Sequence, residues 1–172
     1  MQALKLSRHA LLAVSAIVFA ATAQADIRIS IEEGAPKDRF TIENTGSCAI
    51  NAAEVLLDMT TSRGKLIFDV TGAGAGVDVF QPFEIVAGAA ALAARPQVLD
   101  GQSKIALNIA ALQPGESIRF TIDVDDTLGA REITVTGAEI AGAVARYAKG
   151  GNVYSAAFSE KAVAEVAFSA CD

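Results

Sequence analysis

Apolar residues in this chain recur at every second position, in short runs divided by turn residues. Ile27, Ile29 and Ile31 alternate with Arg28, Ser30 and Glu32, and Phe40 and Ile42 with Thr41 and Glu43. Val55, Leu57 and Met59 share one face, as do Leu66, Phe68 and Val70, then Ile105, Leu107 and Ile109, then Ile118, Phe120, Ile122 and Val124. Ile133 and Val135 repeat the pattern in a strand expected at Glu132–Thr136, and Val153–Phe158 and Val163–Phe168 read as further strands. Successive side chains of a strand point to opposite faces, so this spacing describes sheets with one apolar and one polar face. That is the mark of antiparallel strands packed on one side.

The punctuation agrees. Asn44-Thr45-Gly46, Ser62-Arg63-Gly64, Asp100-Gly101, Pro114-Gly115 and Lys149-Gly150-Gly151-Asn152 fall between the runs, and Asp-Gly and Gly-Gly accept the positive φ of tight hairpins. Thr71–Gly76 (TGAGAG) reads as a flexible loop. Ala87–Ala94 and Glu160–Ala167 are open between strand and helix, since alanine favours helix, but neither is long enough to build a helical layer. About 8–10 short strands without a helical layer predict an all-β chain, an antiparallel β-sandwich of Ig-like or jelly-roll-like kind. A closed barrel is the alternative.

The first 25 residues read as an address rather than structure. Lys5 and Arg8 precede the apolar run Ala10–Ala21, and Ala23-Gln24-Ala25 supplies small residues at the expected cut. This is the layout of a secretory signal peptide, and the run is too short to span a membrane. Residues 26–172 are then a single exported domain, periplasmic or extracellular, with no membrane insertion after cleavage. The chain carries 20 acidic against 14 basic residues, and two of the basic ones, Lys5 and Arg8, fall in the leader. Such an acidic domain has no electrostatic reason to bind nucleic acid.

Export makes Cys48 and Cys171 readable as a disulfide, with two buried thiols as the alternative. Cys48 follows an early strand and Cys171 is the penultimate residue, so a bridge would pin the last strand to an early one. A loop of about 100 residues closed in this way contributes about 4–5 kcal/mol in the chain-entropy picture.

Much chemistry is excluded by residue type. The only histidine, His9, lies in the leader, so the domain has no base for a Ser-His-Asp or Cys-His arrangement. Two distant cysteines do not make a zinc site. Gly72–Gly76 lacks the lysine of a phosphate-binding loop. The chain has no tryptophan and only two tyrosines, which argues against a sugar-binding platform. Phe120–Leu128 (FTIDVDDTL) resembles the first motif of haloacid-dehalogenase-type phosphatases, but that family needs a doubly wound α/β domain and no βαβ pattern follows Thr127.

The remaining candidates are the carboxylates Asp123, Asp125 and Asp126. Alternation puts Asp123 and Asp125 on one face, opposite the inward Ile122 and Val124. Three carboxylates within four residues repel unless solvent or a cation offsets them, and calcium accepts six to eight oxygens in irregular geometry. The stretch is not an EF-hand, because Leu128 stands where the turn glycine belongs and Thr134 at the twelfth position. Further oxygens would come from Glu132, Asp100 or a backbone carbonyl. The plain alternative is a solvated acidic turn.

Several stretches also resemble a known group. Glu33–Asn44 (EGAPKDRFTIEN), Phe80–Glu84 (FQPFE), Leu112–Ser117 (LQPGES) running into Asp123–Thr127, and Gly137–Ala143 (GAEIAGA) are similar to short exported alphaproteobacterial proteins labelled aggregation factor core. The resemblance covers essentially residues 26–172. It implies an exported adhesion-like β-domain whose partner is a protein or cell-surface component, with calcium suited to the role. The turn Leu112–Ser117 is also similar to bacterial Ig-like modules. The expectation is therefore a non-enzymatic β-sandwich with an adhesion, aggregation or cell-surface structural role. The alternative is a small periplasmic hydrolase using the Asp123–Asp126 carboxylates.

Overall fold

Alternation becomes pairing first at β1 (Ile27–Glu32) and β2 (Asp38–Asn44), antiparallel with Ile29 opposite Ile42 and Ile31 opposite Phe40. The computed structural model describes residues 26–76, 79–128 and 134–168. The leader-like segment 1–25, Glu132 and Cys171 lie outside the described residues.

Two antiparallel sheets make a β-sandwich. The first sheet extends the hairpin on both sides. β10 (Val163–Val166) pairs with β1, and β7 (Ser117–Asp125) pairs with β2. The far side of β7 is shared between two short strands: β5 (Glu84–Ala87) pairs with its first half and β4 (Ile67–Asp69) with its end. The second sheet runs β6 (Lys104–Leu112), β3 (Ile50–Asp58), β8 (Val144–Lys149), β9 (Asn152–Ala157).

The core is what the inward phase of these strands supplies. Phe40 and Phe120 stack with ring centroids 4.8 Å apart, Phe83 lies 4.8 Å from Phe120, and Phe68 lies 6.3 Å from Phe40. From the second sheet come Val55, Leu57, Ile105, Leu107 and Ile109, all essentially without solvent contact. Each such side chain contributes about 1.5–3 kcal/mol by leaving water, which favours this pairing over any register shifted by one residue.

Three expectations are corrected or completed. No strand forms at 134–136, the described part of the expected Glu132–Thr136. Instead Thr136 starts a one-turn helix, Gly137–Ile140. The reason is a capping box: the Thr136 side chain accepts from the Glu139 amide while the Glu139 carboxylate accepts from the Thr136 amide. The alanine-rich run Ala87–Ala94 starts on the last residue of β5 and then forms a short 3₁₀ turn at Ala89–Ala91, entered through Gly88 at φ 74°. A β-carbon at Gly88 would overlap the Ser117 carbonyl, so only glycine fits there. The Glu160–Ala167 stretch opens as a turn and continues as β10.

Candidate functional site

β7 begins as an alternating strand and ends buried on both faces. From Phe120 to Asp125 every residue is buried. Ile122 and Val124 face the core, as alternation requires. The other face was expected to be solvated, yet Asp123 is only 2% and Asp125 3% exposed. The correction has a structural cause: β4 pairs beside them, and the loop that follows β4 folds back over that face.

Register fixes the arrangement. Asp69 of β4 stands directly opposite Asp123 of β7, and Asp125 follows two residues on, along the same face. Side chains opposite one another across an antiparallel pair have β-carbons about 4.5–5.5 Å apart, and like charges there repel. The loop residue Gly76 closes the arrangement. A β-carbon on Gly76 would overlap both Asp69 Oδ2 and Asp125 Oδ2, so the two carboxylates reach toward one point beneath the loop backbone.

Asp100 holds the loop in place. Its Oδ1 accepts from the Val70 amide at 2.9 Å and the Thr71 amide at 3.0 Å, and its Oδ2 from the Ala75 amide at 3.0 Å. A β-carbon on Gly74 would overlap that carboxylate. The glycines of TGAGAG are required by close approach of backbone to carboxylates at Gly74 and Gly76. At the mouth of the loop, Gln81 bridges the strands: its amide donates to the Asp69 carbonyl and its carbonyl accepts from the Asp123 amide, both at 3.3 Å.

Charge balance separates these acids into two kinds. Asp58, 3% exposed, receives Thr60 Oγ1 at 2.5 Å, the Thr60 amide at 3.1 Å, Lys104 Nζ at 3.0 Å and Arg146 at 3.1 Å. Asp69, fully buried, has neither carboxylate oxygen in a hydrogen bond of good geometry, although the Thr71 amide and the Asp100 carboxyl lie beside it, and Asp123 has Oδ2 without a partner. The five ion pairs found among the described residues reach neither Asp69, Asp123 nor Asp38. An ionised carboxylate taken out of water without compensation costs several kcal/mol.

The acidities respond accordingly. Burial, reinforced by Asp125, Asp38 and Asp69, pushes the Asp123 carboxyl up to about 8. Burial, with Asp100 and Asp125 beside it, pushes Asp69 up to about 6. Burial raises Asp38, at the start of β2, to about 7 against the pull of the Gly34 and Val124 amides. Asp100 goes the other way: the Val70 amide, ahead of Ala75 and Thr71, holds it down at about 2. Packing carboxylates this closely leaves two chemical outlets, a bound proton or a bound cation.

Of the three acids singled out in the sequence, Asp123 and Asp125 share this cluster. Asp126 faces another way: its Oδ1 accepts from the Leu128 amide at 3.0 Å, and its β-carbon lies against Gly64. Asp69 and Asp38 are additions that alternation did not flag. Asp69 sits between the apolar Phe68 and Val70 and therefore reads as a solvent-facing residue. The signal that could have found it is the glycine loop that begins three residues later.

No protein-family model matches the sequence, and no curated protein matches it either.

Proposed function

We propose that this chain is an exported, non-enzymatic β-sandwich module acting in adhesion, aggregation or cell-surface structure, with a protein or cell-surface component as partner. The observation that carries the reading is the edge of the second sheet at β9, which among the described residues pairs only with β8. β9 ends that sheet, and its sequence, Asn-Val-Tyr-Ser-Ala-Ala, has no charge and no proline to block pairing. Val153 is 64% exposed on it. Unblocked edges accept strands from other chains, so most proteins protect them.

The hydrolase alternative needs carboxylates that a substrate can touch. Asp123 and Asp125 are covered, so the buried cluster favours a structural role over catalysis. The leader-like segment supports export to the periplasm or beyond. A bridge between Cys48 and Cys171 fits the same setting. Asp26 joins the two regions concerned: its carbonyl accepts from the Thr45 amide at 3.0 Å and its carboxylate from the Phe168 amide at 3.1 Å. Non-reducing mass spectrometry of exported protein tests the bridge, and free thiols at both positions would discard it.

The functional test is cell aggregation with added purified protein. Wild type is expected to cluster cells, and Val153→Lys with Ser155→Lys, which charge the edge, to reduce clustering at unchanged melting temperature. Undiminished clustering by the charged variant would remove β9 from the account, and substrate turnover lost in Asp123→Asn would replace the module with the hydrolase.

A further inference from the structure

We propose that Asp69, Asp123 and Asp125, together with backbone oxygens of the loop Thr71–Gly76, form a calcium site on the outer face of the first sheet. The inference is independent of the adhesion reading.

Two features point to a ligand rather than to a merely acidic patch. Asp69 is fully buried with neither carboxylate oxygen in a hydrogen bond of good geometry, and Asp123, 2% exposed, has Oδ2 unpartnered. These oxygens belong to a directly opposed pair, so each worsens the position of the other. The same chain shows how it neutralises a buried acid when a side chain is meant to do it, because Lys104 and Arg146 both reach Asp58. Among the described residues no lysine or arginine forms an ion pair with Asp69. Gly76 supplies the second feature: its missing side chain brings backbone to the point where Asp69 Oδ2 and Asp125 Oδ2 converge.

The donor set selects the ion. Every candidate ligand is an oxygen, which disfavours zinc and copper. Among the described residues no three acidic, thiol or imidazole side chains are placed to hold a metal ion by themselves, so backbone carbonyls and water would have to supply most of the shell as the carboxylates draw in. Calcium takes six to eight oxygens at about 2.3–2.6 Å with tolerance for irregular placement, whereas magnesium demands a near-ideal octahedron. Asp100 stays outside the shell: its oxygens are occupied by the Val70, Thr71 and Ala75 amides, which orient the loop toward the carboxylates. The resulting set differs from Asp123, Asp125 and Asp126 by placing Asp69 where the third acid was expected.

The test is a thermal melt of the chelator-stripped full chain at increasing calcium or magnesium chloride. At about 10 mM calcium and the weak affinity typical of extracellular sites, the melting temperature is expected to rise by about 4–10 °C, and under magnesium by less than half of that. Asp69→Asn and Gly76→Ala are expected to abolish the calcium shift, and Asp126→Asn to retain it. No shift in wild type, an equal shift with magnesium, or a shift that survives Asp69→Asn would each overturn the site. Should Asp69→Asn fail to fold, calorimetric titration of calcium into wild type and Gly76→Ala decides: heat in the first and at least tenfold weaker binding in the second support the site, and no heat or equal affinity overturns it.

Discussion

Asp58 and Asp69 are both buried carboxylates with opposite surroundings. Burial works against ionisation of Asp58, but the Thr60 hydroxyl, Lys104 and the Thr60 amide together outweigh it and hold the carboxyl below its usual range. A folded pKa below the unfolded one means the contribution to stability is present above about pH 4 and fades as pH falls further. Asp58→Asn is therefore expected to cost about 1–2 kcal/mol at pH 7, because the half-exposed cations are screened by water and the Thr60 bonds carry more. Denaturant titrations should show that cost shrinking toward pH 3, and an equal cost at both pH values would contradict the assignment. Asp69→Asn has the reverse expectation. In chelator at pH 8 it removes one of two opposed charges, so the variant should be more stable than wild type by about 1 kcal/mol. A large destabilisation in chelator would mean that Asp69 has a partner the cluster does not account for.

At the scale of elements, legibility followed side-chain bulk. β1, β2, β3, β6 and β7 are legible because Ile, Leu, Val and Phe mark the inward phase without ambiguity. β8 is not legible because its inward phase is Ala145 and Tyr147 and its outward phase begins with Val144, so alternation is muted. The buried acids escaped for a different reason. Alternation says which face of β7 is not core, but it cannot say that a loop from elsewhere in the chain covers that face. Nor could the strand expected at Glu132–Thr136 be separated from the capping box at Thr136 by periodicity, since Val135 is buried in either case. Thr136→Ala removes the cap from an isolated turn and should lower stability by about 0.5–2 kcal/mol, read as a shifted denaturant midpoint at constant slope. A neutral outcome would mean that the turn is held by Ile140 and Ala141 packing alone.

For the whole molecule, the sandwich depends on contacts distant in sequence. Phe40, Phe68, Phe83 and Phe120 come from four strands or their flanks and meet in one cluster. Phe120→Ala empties the centre of that cluster and is expected to cost about 3–5 kcal/mol, a large part of the stability of a domain this size. Calorimetry showing less than about 1 kcal/mol would place the cohesion of the two sheets elsewhere. The same long-range topology makes the acidic cluster, since β4 and β7 bring Asp69 beside Asp123 only once the sheet has closed. A calcium site built there would form with the fold and report on it. The most direct measurement is a crystal structure of the full chain grown in millimolar calcium, with anomalous scattering to identify the ion. One calcium is expected there, bound by Asp69, Asp123 and Asp125 at about 2.3–2.6 Å beneath Gly76. A saturated crystal with that position filled by water, or with the ion held by Asp126 instead, would contradict it.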